Sequence, residues 1–72
     1  MQILLNDKPT ELPDDATVSD LLKSLDLWGK FVAVERNRGV VPYQTYDQTK
    51  LNDGDVLEVV TLVGGGGSFF TI

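Results

Sequence analysis

Residues 1–5 predict a β-strand with one buried face, because every second position from Met1 is apolar. Met1, Ile3 and Leu5 share that face of a predicted first strand. The polar run at residues 6–8 is a turn, because Asn and Asp tolerate left-handed backbone and bond to their own backbone. Residues 9–12 return as a short second strand, with a proline that belongs at a strand end or a sheet edge.

An amphipathic helix of about two turns is predicted after the loop at residues 13–15. Thr17 suits the N-cap position, since its hydroxyl can accept a hydrogen bond from the N–H of Asp20. The Asp20 carboxylate can reciprocate as a short capping box, and Gly29 marks the end region of the helix. The apolar positions recur at i, i+3, i+4 and i+7 and form one face: Val18, Leu21, Leu22 and Leu25.

The second half of the chain predicts three more strands. Residues 31–36 alternate again, and Val40-Val41 is a short apolar piece before a proline. The polar stretch 43–50 allows one helical turn, and residues 52–55 give the strongest turn signal. Val56 to Val63 is the longest apolar run and is rich in β-branched residues, so it belongs near the centre of a sheet.

This order of elements predicts an α+β fold, because an amphipathic helix of this length needs one sheet face to cover. A hairpin, a helix and a returning hairpin form the ubiquitin-like β-grasp arrangement, with the first and last strands central and parallel. We therefore predict a β-grasp domain at residues 1–63, with four or five strands and one main helix. A flexible, glycine-rich tail is predicted at residues 64–72.

The amino-acid composition limits the reactions and the metal sites that the side chains can support. Its 72 residues suffice for one small domain and leave no room for a deep catalytic cleft. Cysteine and histidine are both absent, which excludes a disulfide framework, a thiolate nucleophile and the commonest metal ligand and general base. We expect no enzyme activity of its own, no metal site and no bound cofactor.

The net charge and the hydropathy of the chain limit the kinds of partner that it can bind. Six basic residues stand against eleven acidic ones, a net charge of −5, so the chain gains nothing from counterion release on nucleic acid. No apolar run approaches the roughly 20 residues that span a bilayer, and no signal-peptide pattern is present at the start. We expect a cytoplasmic protein that binds neither nucleic acid nor membrane.

The glycine run at residues 64–67 is the most unusual feature. One interpretation is a disordered or engineered linker. The other is a backbone thin enough to thread into a narrow enzyme channel, since glycine has no side chain to block close approach.

Asp53-Gly54-Asp55 lacks the further acidic positions of a calcium loop and is interpreted as a tight turn. Arg36 and Arg38 are either an anion contact or solvated side chains.

Strand alternation places an apolar strip on the sheet face away from the helix. If Glu58 faces water, Val60 and Leu62 face outward with it, and by the same logic Phe31 faces outward with Glu35. The strip is either a set of scattered surface hydrophobes or a docking patch for a partner enzyme.

Several segments in order resemble the ThiS family, the sulfur carriers of thiamin biosynthesis. They span residues 1–66, and no single one of them is specific. The segments are Met1-Gln2-Ile3-Leu4-Leu5-Asn6, Thr17-Val18-Ser19-Asp20-Leu21-Leu22, Val34-Glu35-Arg36-Asn37, Val41-Pro42, Asp53-Gly54-Asp55 and Val59-Val60-Thr61-Leu62-Val63-Gly64-Gly65-Gly66.

The resemblance implies a function. An E1-like adenylyltransferase (ThiF-like) would use ATP to adenylate the C-terminal glycine, sulfur from a donor enzyme would replace the AMP, and the thiocarboxylate would serve a thiazole synthase (ThiG-like). Matching the family ending makes Gly66 the mature terminus, with Gly65 and Gly67 as alternatives. Gly64 and Gly65 would thread into the partner, and Phe31, Val60 and Leu62 would dock it.

The chain departs from the family pattern by continuing to residue 72, where the terminal carboxylate belongs to Ile72. There are three explanations for this departure: a protease trims the chain, the last residues are an artefact, or the protein no longer has the family's function. A MoaD-like small subunit of molybdopterin synthase and a ubiquitin-like protein modifier remain alternatives with the same fold. A regulatory or RNA-binding β-grasp module fits the acidic composition and the glycine tail less well.

Overall fold

The computed structural model describes residues 1–63 and 68–71. These residues form six strands, one α-helix and one 3-10 turn. In chain order they are β1 (Gln2–Leu5), β2 (Lys8–Glu11), α1 (Val18–Ser24), β3 (Val32–Arg36), β4 (Gly39–Val40), the 3-10 turn (Tyr43–Thr45), β5 (Val56–Val63) and β6 (Ser68–Thr71).

The main sheet has the strand order β2-β1-β5-β3-β4. Strands β1 and β5 are central and parallel, with Leu5 opposite Leu57, whereas β2 and β3 pair with them in antiparallel fashion. Pro9 lies in the edge strand β2, where a missing N–H donor costs no ladder hydrogen bond. This topology confirms the predicted β-grasp fold.

Strand β6 was not predicted. It pairs antiparallel with the end of β5, from Val60 opposite Thr71 to Val63 opposite Ser68. The predicted glycine-rich tail therefore contains a paired strand at residues 68–71. The local sequence gave no signal for this strand, because a glycine run precedes it and because the strand is held by pairing with β5. Residues 64–67 and 72 lie outside the described residues, so the flexibility predicted for them and the domain boundary at residue 63 remain predictions.

The N-terminus of α1 has the predicted cap. The Thr17 hydroxyl accepts from the N–H of Asp20 at 3.2 Å, and the Thr17 N–H donates to the Asp20 carboxylate at 2.9 Å. These contacts, the backbone bond first, lower the pKa of Asp20. The predicted C-terminus is too late: α1 ends at Ser24, and Asp26 with φ of 59° turns the chain before Gly29 is reached.

The core lies between α1 and the inner face of the sheet. Leu21 and Leu22 are fully buried as predicted, whereas Leu25 only packs against the margin of the core. From β5, Leu57 and Val59 are both 0% exposed, which confirms the predicted inward face of the last central strand. In the described part of the chain, no helix is long and apolar enough to cross a membrane.

Candidate functional site

The described part of the predicted apolar strip lies on the outer face of the sheet. Phe31, immediately before β3, is 81% exposed, and Ala33 lies directly opposite Val60 of β5. Phe31 therefore has the predicted outward orientation. Val60 is half-buried, because β5 is flanked by β3 on one edge and β6 on the other. Leu62 lies opposite Phe69 in register, and its side chain is outside the described part of the structure.

Two carboxylates border this strip. Glu35 on β3 and Glu58 on β5 are directly opposite each other, and both are exposed. Like charges in directly opposed positions repel each other and destabilise the pair of strands. A partner surface that brings a cation to this position would relieve the repulsion, so the face favours a surface with basic groups beside apolar ones.

The predicted reactive segment begins where β5 ends. Strand β5 ends at Val63, and the residues predicted to thread or to carry the reactive carboxylate, Gly64, Gly65, Gly66 and the alternative Gly67, lie outside the described residues. Val63 is the last described residue before them. It is the last residue of β5, the strand that also presents Val60 on the outer face. The apolar strip and the start of the predicted tail are therefore connected through β5.

The acidic turn at residues 53–55 is structural. Gly54 has φ of 86°, a left-handed conformation that glycine adopts without strain, which confirms the predicted tight turn. The buried Asp55 carboxylate accepts from Arg36 Nε at 2.8 Å and from Asn37 Nδ2 at 3.1 Å. Arg36 is thus engaged within the domain, and the sequence did not reveal this role. No group of three metal-ligating side chains is found in residues 1–63 and 68–71.

The charge state of Asp55 follows from this network. Burial alone would raise the pKa of its carboxyl, but hydrogen bonds from the Asn52 N–H, Asn37 and Arg36, together with the charge of Arg36, outweigh burial and hold the pKa below its usual value of 3.8. The ionised carboxylate therefore fastens the turn before β5 to the end of β3. It fixes the start of the strand that leads to the glycines.

Asn6 is a second residue whose role the sequence did not reveal. Its side chain binds both backbone groups of Val59: Asn6 Nδ2 donates to the Val59 carbonyl at 3.0 Å, and the Val59 N–H donates to Asn6 Oδ1 at 2.9 Å. The amide side chain thus takes the place of a paired strand at the edge of β5. A turn-forming asparagine gives no sequence signal for such a distant contact.

An aromatic groove of about 480 Å³ lies beside the apolar strip. Phe31 and Trp28 line it, together with Tyr43 and Tyr46 from the segment after β4. Tyr46 is buried and meets the ring of the exposed Tyr43 edge-on at a centroid distance of 5.7 Å. Tyr46 therefore packs in the core, whereas Tyr43 lies at the surface. Phe31 belongs to the groove and to the outer face.

The strand order and the one α-helix on one face of the sheet define a ubiquitin-like β-grasp protein, and in the sequence a run of glycines follows the last central strand directly. A family model described as the ThiS family matches residues 3–66. The chain therefore belongs to the ThiS family. This confirms the resemblance on which the predicted function was based.

Two similar sulfur carrier proteins agree with this assignment. The chain is 45% identical over 53 residues to the sulfur carrier protein ThiS of Bacillus subtilis, covering 74% of this chain and 80% of that protein. It is 33% identical over 66 residues to the sulfur carrier protein ThiS of Escherichia coli, covering 92% of this chain and 100% of that protein.

Two further matches are a segment of a longer protein and a crystal structure. The chain is 41% identical over 66 residues to a thiazole synthase of Paramagnetospirillum magneticum, covering 92% of this chain but spanning only 20% of that protein's length. The crystal structure of a thiamine biosynthesis protein (ThiS) from Geobacter metallireducens superposes with a TM-score of 0.77 at 32% identity, covering 92% of this chain and all of that one.

Proposed function

We propose that this protein is a sulfur carrier of thiamin biosynthesis and that the carboxylate of Gly66 carries the sulfur as a thiocarboxylate. The observation that carries the proposal is the extent of the family match, which ends at residue 66, three residues after β5. Gly65 and Gly67 are the alternative termini. Sulfur carrier relatives at 33% and 45% identity support the assignment.

The chemistry requires activation of a carboxylate, which is a poor acyl donor. An oxygen of the Gly66 carboxylate attacks the α-phosphate of ATP in an E1-like enzyme, and pyrophosphate leaves. Hydrosulfide supplied by a donor enzyme then attacks the acyl carbon, AMP leaves with the electrons of the broken C–O bond, and loss of the S–H proton leaves the thiocarboxylate. The carrier contributes no base to either step, in keeping with a chain without histidine or cysteine. ATP is consumed by the partner, and the carrier itself holds no cofactor.

A thiazole synthase is the proposed acceptor of the sulfur. The support comes from thiazole synthases of two bacteria, each with a segment 41% identical to this chain over 66 residues. A carrier segment within the same polypeptide as the acceptor indicates that the two act together.

The outer face is proposed to dock the activating enzyme. Phe31 offers a large exposed apolar surface, and Val60 and Leu62 belong to the strand that ends three residues before Gly66. An enzyme bound to this face would lie close to the start of the tail. Gly64 and Gly65 would then thread into its active site, because glycine presents no side chain to a narrow channel.

Residues 67–72 are proposed to be removed before activation, because only a free carboxylate on the terminal glycine gives the required acyl group. The test is the intact mass of the protein from its native host. The proposal predicts a chain ending at Gly66, with a fraction heavier by the replacement of one oxygen by sulfur. A chain that ends at Ile72 in all molecules, with no sulfur-bearing form, would contradict it.

A further inference from the structure

One edge of β5 is covered in three different ways along its length. Near its start, β1 pairs with it in parallel, with Leu5 opposite Leu57. Past the end of β1, the Asn6 side chain binds the N–H and the C=O of Val59. Beyond that point, β6 pairs with the last residues of β5. The cover of this edge is therefore continuous, and its last part comes from the C-terminal segment of the chain.

The backbone groups at this edge follow from strand geometry. The N–H and C=O of a residue in an antiparallel ladder point to one side, and those of the next residue point to the other. Because the Val59 groups face the Asn6 side chain, those of Thr61 and Val63 face the same edge, where they meet Phe70 and Ser68 of β6. The opposite edge of β5 pairs with β3 from Leu57 to Thr61.

We propose that this edge of β5 at Thr61 and Val63 is a strand-addition site for the activating enzyme and that β6 occupies it in cis. The inference rests on the proposed function. Removal of the residues after Gly66 removes β6 and presents a row of backbone donors and acceptors that an extended segment of the enzyme can pair with. The four residues of β6 show that the edge accepts an added antiparallel strand.

The position of the site gives it a function in activation. Val63 is three residues from Gly66, a reach of at most about 11 Å in extended chain. A partner strand paired at Val63 therefore fixes the direction in which the glycines leave the domain. Orientation of this kind lowers the entropic cost of bringing the carboxylate to the α-phosphate. The intact tail, with β6 in place, keeps the enzyme's strand from this edge.

Two matched proline variants of the full chain separate strand pairing from side-chain loss. Phe70 lies opposite Thr61, so its N–H faces β5, and Phe70→Pro removes a pairing donor. Phe69 is the neighbouring residue, so its N–H faces away from β5, where proline is tolerated in an edge strand. Amide hydrogen exchange at Thr61 and Val63 reports the release of β6, and calorimetry with the activating enzyme reports binding.

We expect Phe70→Pro to expose the amides of Thr61 and Val63 to rapid exchange and to bind the enzyme at least about tenfold more tightly than wild type, because the competent edge is then always populated. Those two amides should become protected again in the complex. Phe69→Pro should match wild type in both measurements. Equal binding by the two variants, or rapid exchange of both amides in the complex, would overturn the inference.

Pyrophosphate exchange on a chain that ends at Gly66 keeps the two proposals apart. If that chain is adenylated and the two proline variants bind equally, the strand-addition site is wrong and the sulfur-carrier function stands. If it is neither adenylated nor bound by the enzyme, the proposed function fails and the strand-addition site fails with it.

Discussion

The Arg36 guanidinium donates from Nε to the Asp55 carboxylate at 2.8 Å, and the two residues join the end of β3 to the turn that starts β5. The Asp55 side chain is only 8% exposed, so water screens this ion pair weakly. The pair lies at the opposite end of β5 from the glycines. It therefore contributes to stability at the start of β5.

Stability should fall in acid through Asp55. Its pKa is lower in the folded chain than the usual 3.8. The ionised form thus stabilises the fold above the unfolded pKa, and this contribution is lost as the pH falls through the folded pKa. We expect Asp55→Asn to lower the free energy of unfolding at pH 7 by about 1–3 kcal/mol. Urea unfolding should show the difference from wild type shrinking between about pH 5 and pH 2.

Asp15→Asn is the matched control, since Asp15 is exposed and asparagine tolerates its left-handed φ of 67°. It should match the wild-type free energy of unfolding at pH 7. A deficit for Asp55→Asn that stays constant down to pH 2 would show that the carboxylate charge is not what holds the turn.

The helix cap gives a second prediction. Thr17→Ala removes the hydroxyl that accepts from the Asp20 N–H and should lower the free energy of unfolding by about 0.5–2 kcal/mol. Thr17→Ser keeps the acceptor and should lose much less. Chemical denaturation at pH 7 measures the free energy of unfolding of both variants. Equal losses would show that the stabilisation comes from the threonine methyl group and not from the hydrogen bond of the cap.

Core packing gives a third prediction. Leu22 is 1% exposed, so Leu22→Ala should cost about 2–5 kcal/mol of stability, the usual range for a large-to-small change in a core. Leu25→Ala removes the same atoms from a partly buried position and should cost less. Thermal or urea unfolding compares the two. A Leu22→Ala variant that loses under about 0.5 kcal/mol would show that the inner face of α1 is assigned incorrectly.

The sequence predicted those features that follow from local pattern. Periodicity identified Leu21 and Leu22 as the buried face of α1, and a single threonine identified its start. The resemblance to a family then supplied the function. Features that depend on contacts distant in sequence were missed, because nothing near Asn6 indicates that its amide will bind Val59, 53 residues away. The same reason explains β6, which forms only because β5 offers an edge.

The docking face gives a fourth prediction. Phe31→Asp should leave the fold intact, since the side chain is 81% exposed, and should reduce adenylation by at least about tenfold, because a buried unpaired charge is costly in an interface. Tyr43→Asp changes an aromatic residue that is 77% exposed and lies outside the outer strip, and it should be adenylated like wild type. Steady-state kinetics of pyrophosphate exchange compares them, and equal loss in both variants would remove Phe31 from the specific interface.

Pyrophosphate exchange on two lengths of the chain tests the central claim most directly. The chain that ends at Gly66 should support exchange with the activating enzyme of the same organism, and the 72-residue chain should not. Six further residues displace the carboxylate by up to about 20 Å, far beyond the ~3 Å approach that the reaction requires. Equal exchange by both lengths would contradict Gly66 as the reactive terminus, and no exchange by either would contradict the sulfur-carrier function.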